Sequence, residues 1–125
     1  MRPADWARAG HDPAMVYDPA SDEFIELLGP GLPLGVVPDH VYAEQSCSGL
    51  TPGQVLLLGT DGIWEARDTG DAMYGKDRLR AVVRRHAGGT AAELVAAIHA
   101  DVAAFQAGAP RDDDITVVVI KALPI

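Results

Sequence analysis

Leu50-Thr51-Pro52-Gly53-Gln54-Val55-Leu56-Leu57-Leu58-Gly59-Thr60-Asp61-Gly62 runs a turn, an apolar stretch and a carboxylate together without a break. Thr51-Pro52-Gly53 reads as a turn, because Pro presets its own φ and Gly accepts dihedrals other residues avoid. Val55 to Leu58 has no polar alternation, which predicts a central β-strand buried on both faces. Gly59-Thr60-Asp61-Gly62 then sets a carboxylate on the rigid end of that strand, with Gly leaving space beside it.

Upstream the chain reads as strands and turns. Trp6 to Ala9 is a short apolar stretch. Ala14–Asp18 and Glu23–Leu28 flank the turn-forming Pro19-Ala20-Ser21-Asp22, which predicts a hairpin. Gly29-Pro30-Gly31-Leu32-Pro33-Leu34-Gly35 cannot be regular structure, since Pro removes donors. It is not a P-loop either, because no Lys-Ser/Thr follows it and no helix opens after it. Val41–Ser46 is a further candidate strand.

Downstream the period changes. Leu79, Val82, Val83 and His86 recur at helical spacing, and Gly88-Gly89 supplies a stop. Thr90 with Glu93 is a capping box ahead of the stripe Leu94, Val95, Ile98, Val102 and Phe105, a helix that should end near Gly108. Ile115–Ile120 is β-branched and predicts a last strand. Strands, then two helices, then a strand predict an α+β fold with the helices packed on an antiparallel sheet.

The bulk properties narrow the function. A chain of 125 residues makes one domain and not two, and 48% apolar with 22% charged residues suits a packed core. Ten basic against 18 acidic residues give a formal charge of −8, which repels nucleic-acid backbones. The same field opposes a phosphorylated substrate unless bound cations reverse it locally. The lone Cys47 excludes an internal disulfide and a cysteine-built zinc site, and it reads as a strand thiol. No stretch is long and apolar enough to span a bilayer and no signal-peptide core follows Met1-Arg2-Pro3, so the expected setting is cytoplasmic.

Two acidic stretches end predicted strands: Asp61 after Val55–Leu58, and Asp112-Asp113-Asp114 before Ile115–Ile120. Taken alone, Asp-Gly is a turn and a run of Asp is a solvated loop. Taken together, carboxylates on neighbouring strand ends could share a hard divalent cation such as Mg²⁺ or Mn²⁺. His86 and His99 fall on helices, His40 in a loop, and His11 in a turn where a hydrogen-bonding role precedes a catalytic one. With no His-x-x-x-His or Cys-x-x-Cys pair, zinc hydrolase chemistry has no support.

The chain resembles the C-terminal part of the metal-dependent PPM/PP2C-like serine phosphatases of the bacterial SpoIIE/RsbU type. The matching pieces, in order, are Arg8–Pro13, Gly31–Val36, Leu50–Ala66, Tyr74–Leu79 and Asp113–Val119. The resemblance implies an antiparallel β-sandwich in α-β-β-α layers, of which residues 1–125 form the C-terminal portion of one domain. It implies a pair of Mn²⁺ or Mg²⁺ ions and hydrolysis of phosphoserine or phosphothreonine by activated water. By resemblance Asp61 and Asp113 are the catalytic metal ligands, while Asp114 is a weak ligand or supports the site from behind. His11 and Glu65 belong to recurring motifs without an assigned step.

One departure bears on activity. Such phosphatases carry an Asp-x-x-Gly-His-Gly motif whose Asp bridges the metals; here Gly10-His11 is followed by Asp12, and Ala7 stands at the bridging position. The N-terminal part of the domain is therefore expected to be absent, leaving metal binding weak and the chain inactive alone. The resemblance points to a phosphorylated STAS-type anti-anti-sigma regulator as substrate. Strand edges and an apolar face left open by the absent part are expected to seek partners, as a homodimer or by strand exchange. The alternative is a noncatalytic protein-binding module that keeps the phosphatase fold.

Overall fold

The computed structural model describes residues 3–111 and 113–124. Its elements run β1 (Ala4–Trp6), β2 (Met15–Asp18), β3 (Glu23–Glu26), β4 (Gln45–Cys47), β5 (Val55–Gly59), α1 (Gly75–His86), α2 (Ala91–Gln106) and β6 (Val117–Lys121). Four strands form an antiparallel sheet in the order β3-β2-β5-β6, and β1 pairs with β4 in a separate two-stranded ribbon.

The predicted hairpin is β2–β3. Its turn closes where the Asp18 carboxylate accepts from the Ala20 N–H at 3.0 Å and from the Ser21 hydroxyl at 3.2 Å. The helices form as their spacing dictates. Thr90 Oγ1 accepts from the Glu93 N–H at 3.1 Å, and the Glu93 carboxylate accepts from the Thr90 N–H in return. Leu94, Ile98 and Val102 of α2 then lie inside beside Leu79, Val82 and Val83 of α1. Each such side chain contributes roughly 1.5–3 kcal/mol of burial. Lys121 reaches from β6 to the turn between the helices, donating to the Ala87 carbonyl at 2.7 Å and the Gly89 carbonyl at 2.6 Å.

Three expectations need correction. β5 is central in its sheet but is buried on one face only: Val55, Leu57 and Gly59 face the helices, while Leu58 is 37% exposed on the other side. The helices cover one side of the sheet, and the other is covered only in part: Val16 is 6% exposed there, but Leu58, Val118 and Ile120 are 37%, 46% and 49% exposed. The uniform apolar run thus records two apolar faces without recording that both are covered. Val41–Glu44 is loop, and only Gln45–Cys47 finds a strand partner, the register pairing Ala4 with Cys47 and Trp6 with Gln45. For the same reason the first strand lies at Ala4–Trp6 rather than at Trp6–Ala9.

The Arg8–Pro13 and Gly31–Val36 stretches, far apart in the chain, pack against each other. Gly31 sits so close to the Arg8 backbone that any Cβ there would overlap the Arg8 carbonyl. The Arg8 guanidinium donates to the His11 and Gly29 carbonyls, each at 2.8 Å, and so holds both loops.

Candidate functional site

β5 and β6 are neighbours with Gly59 opposite Val117, so the loop leaving one and the loop entering the other share one edge of the sheet. Thr60 stitches them together. Its N–H donates to the Thr116 carbonyl at 3.0 Å, and its Oγ1 accepts from the Thr116 N–H at 3.1 Å. Gly62 lies against the other loop so tightly that a Cβ there would overlap the Asp114 carbonyl oxygen and approach the Asp113 Cβ to 3.6 Å. The small residue after Asp61 is therefore required by close approach of two backbones.

The structure brings Asp61 and Asp113 to this common edge, both exposed to solvent. The Asp61 carbonyl accepts from the Glu65 N–H at 2.9 Å, closing a turn that fixes where its side chain starts. Asp113 Oδ1 accepts from the Asp114 N–H at 2.8 Å, which orients that carboxylate. Asp114 is exposed beside it, and Asp112 lies outside the described residues.

The remaining singled-out residues divide. Glu65 lines a cavity with Gly62 and Asp113, whereas His11 lines a different, largely apolar one with Thr60 and Thr116 on the outer face of the sheet. His11 is exposed there, with Nδ1 2.8 Å from the Asp12 carbonyl oxygen. His86 and His99 are exposed on their helices, His40 stacks edge-on against Tyr42, and Cys47 is a half-buried free thiol in β4. Three residues beside Asp113 escaped the sequence analysis: Arg67, Gln106 and Arg111 share its cavity. No periodicity connects a loop residue, a helix end and a strand approach, so only the fold could assemble them.

Against this geometry stand the comparisons with known proteins. The family model for Stage II sporulation protein E (SpoIIE) matches residues 2–123. The chain belongs to the SpoIIE family. Phosphoserine phosphatase RsbU of Bacillus subtilis (strain 168) is 29% identical over 116 residues, covering 93% of this chain and 34% of that protein. The SiaA-PP2C domain of Pseudomonas aeruginosa is 27% identical with a TM-score of 0.80 over 96% of this chain and 46% of that one. The PP2C phosphatase domain of SpoIIE from Bacillus subtilis, 20% identical, has the same fold with a TM-score of 0.72 over 95% of this chain and 34% of that one. This member of the SpoIIE family thus spans about a third of the curated relative it matches and has the α+β fold of the corresponding part of PP2C domains.

PP2C phosphatases as a class depend on metal, and the donors here suit a hard divalent cation in kind, being carboxylate oxygens. They do not suffice in number: among the described residues no group of three or more His, Cys, Asp and Glu side chains gathers as a metal cage. No helix among those residues is long and apolar enough to cross a membrane.

Proposed function

We propose that this chain is the C-terminal portion of a metal-dependent protein serine/threonine phosphatase. Its substrate is a phosphorylated regulatory protein of the STAS type, in the cytoplasm. The observation that carries this reading is the Thr60–Thr116 stitch, which sets the Asp61 and Asp113 loops side by side at one sheet edge. The likeness to a phosphoserine phosphatase over 93% of the chain supports it.

In this reading Asp61 and Asp113 each supply a carboxylate to Mn²⁺ or Mg²⁺, and Asp114 steadies the loop beside them. Bound there, such a cation pair supplies charge neutralisation for a phosphate dianion and acidifies water. The chain's own part is to hold two carboxylates on rigid strand ends, so that little ordering entropy is lost on binding. Ala7 stands where the resemblance calls for a bridging Asp, so the 125-residue chain alone binds metal weakly and turns over near background.

The test is a phosphoserine-peptide hydrolysis assay with Mn²⁺, run on the chain alone and with a segment carrying Asp-x-x-Gly-His-Gly added in trans. Hydrolysis that appears only with the segment, and stops with EDTA, is expected. Hydrolysis that survives EDTA but not Cys47→Ser would sink the proposal. The second reading, a noncatalytic binding module, is favoured by the described residues, among which no third donor gathers. It predicts that no added segment restores turnover.

A further inference from the structure

Asp61 is carried by a stretch that belongs to no helix or strand, so its place depends on what holds that stretch. The turn closes where the Ile63 N–H donates to the Thr60 carbonyl at 3.1 Å and the Glu65 N–H donates to the Asp61 carbonyl at 2.9 Å. The chain then loops out and comes back along its own path, Met73 forming an antiparallel bridge with Arg67. On its return it is bonded straight onto the turn. The Tyr74 N–H donates to the Ala66 carbonyl at 2.7 Å, and the Gly75 N–H donates to the Trp64 carbonyl at 2.8 Å. The Asp61 turn is therefore held at one end by the Thr60–Thr116 stitch and at the other by Tyr74.

Tyr74 is itself fixed to the helices. Only 1% exposed, it donates from its hydroxyl to Asp101 Oδ2 of α2 at 2.5 Å. Its carbonyl accepts from Arg78 Nη1 of α1 at 3.1 Å, and its ring stands edge-on to Phe105 of α2 with centroids 5.5 Å apart. A phenyl ring would fill the same space with no hydroxyl to desolvate. What the hydroxyl adds is a directional bond to a charged acceptor, stronger than one between neutral groups. That bond ties the back of the Asp61 turn to one point on α2.

We propose that Tyr74 is a positioning residue for Asp61: its bond to Asp101 fixes the turn that carries the Asp61 carboxylate against α2. That Asp61 then serves a cation rests on the phosphatase reading above; the hold of Tyr74 on the turn does not. A ligand on an irregular turn loses freedom when it binds metal unless the turn is already rigid, and a buried anchor behind it removes most of that loss beforehand. Tyr17 offers the internal comparison. Its hydroxyl also donates to a carboxylate, Asp22 at 2.9 Å, but within the β2–β3 hairpin, away from the Asp61 turn.

Amide hydrogen exchange of the 125-residue chain, followed by NMR without metal, tests the hold. In Tyr74→Phe the Ile63 and Glu65 amides should exchange about tenfold faster, a larger change than at Val83 and Ile98 in the helices. Asp101→Asn keeps an acceptor for the hydroxyl while giving up the Asp101–Arg85 ion pair, and should leave the turn amides within about twofold of wild type. Asp101→Ala should reproduce Tyr74→Phe, and the two together should loosen the turn no more than either alone. Tyr17→Phe should leave the turn amides unchanged. A Mn²⁺ titration then reads the consequence for Asp61: broadening of the residue 60–62 amide signals should need about fivefold more metal in Tyr74→Phe than in wild type or Tyr17→Phe. Turn amides that keep wild-type rates in Tyr74→Phe, or that speed up no more than those of Val83 and Ile98, overturn the proposal, as does an unchanged Mn²⁺ requirement. A wild-type chain with no Mn²⁺ broadening at residues 60–62 counts against the phosphatase reading instead, and exchange alone then decides whether Tyr74 holds the turn.

Discussion

Gly62 and Thr60 carry the junction between the two acidic loops, and each can be tested alone. Gly62→Ala pushes a methyl into the Asp114 carbonyl, a backbone atom that cannot swing aside. It should cost about 1–3 kcal/mol in urea unfolding and part the Asp61 and Asp113 loops. Thr60→Val keeps the shape but removes the acceptor for the Thr116 N–H, and should cost about 1–2 kcal/mol. A loss below a few tenths in either would mean that the junction is slack.

Tyrosine burial also sets a pH response. Burial first, and the hydrogen bond to Asp101 second, push the Tyr74 hydroxyl well above its ordinary value. Burial and Asp22 push Tyr17 in the same direction. Above about pH 10 the unfolded chain loses these protons while the folded chain keeps them, so stability falls as pH rises, by up to ~1.4 kcal/mol per pH unit for each group. Tyr74→Phe should therefore lose less stability than the wild type between pH 10 and 11, read from urea midpoints. At the acid end, hydrogen bonds from Tyr17 and then Arg84 hold the Asp22 carboxyl below the usual carboxylate range. Its contribution is present above the unfolded carboxylate value and disappears as pH falls through the lower, folded one.

At the scale of elements, α2 is the part whose ends were most readable, and both can be altered. Thr90→Ala breaks the capping box and should cost about 1 kcal/mol. Ala107 closes the helix in a left-handed conformation at φ 48°, where a Cβ is strained, so Ala107→Gly should stabilise by about 0.5–1 kcal/mol. Thermal unfolding of the two variants should move in opposite directions. The helices and the hairpin were legible because caps, period and turn residues are local signals. Asp61 and Asp113 were legible as strand ends for the same reason. The extent of β4 was not, because Val41 and Tyr42 have strand-like side chains but no strand to pair with. The Arg67–Gln106–Arg111 grouping was not either, since only tertiary packing joins a loop, a helix end and a strand approach.

At the scale of the molecule, the four-stranded sheet presents an apolar outer face. Val16, Ile25, Leu56 and Ile120 form one row across it, and Leu58 pairs with Val118 in the next. Ile25, Val118 and Ile120 are 53%, 46% and 49% exposed. Such a patch on a charge of −8 should self-associate, more so as salt screens the repulsion. Light scattering should rise with KCl in the wild type and stay flat in Ile120→Lys, whose exposed site costs the monomer little. Flat scattering from the wild type at every salt would remove the expectation of a homodimer.

The claim at the centre is that Asp61 and Asp113 serve one cation from adjoining strand ends. Paramagnetic broadening of backbone amide signals during a Mn²⁺ titration of the chain tests it most directly, because it registers weak binding by location. Signals of residues 60–62 and 113–116 should broaden together and first, and Asp61→Asn or Asp113→Asn should abolish both sets at once. Broadening centred on other acidic residues such as Asp77 and Asp101, or loss of only one set in each variant, would contradict a shared site.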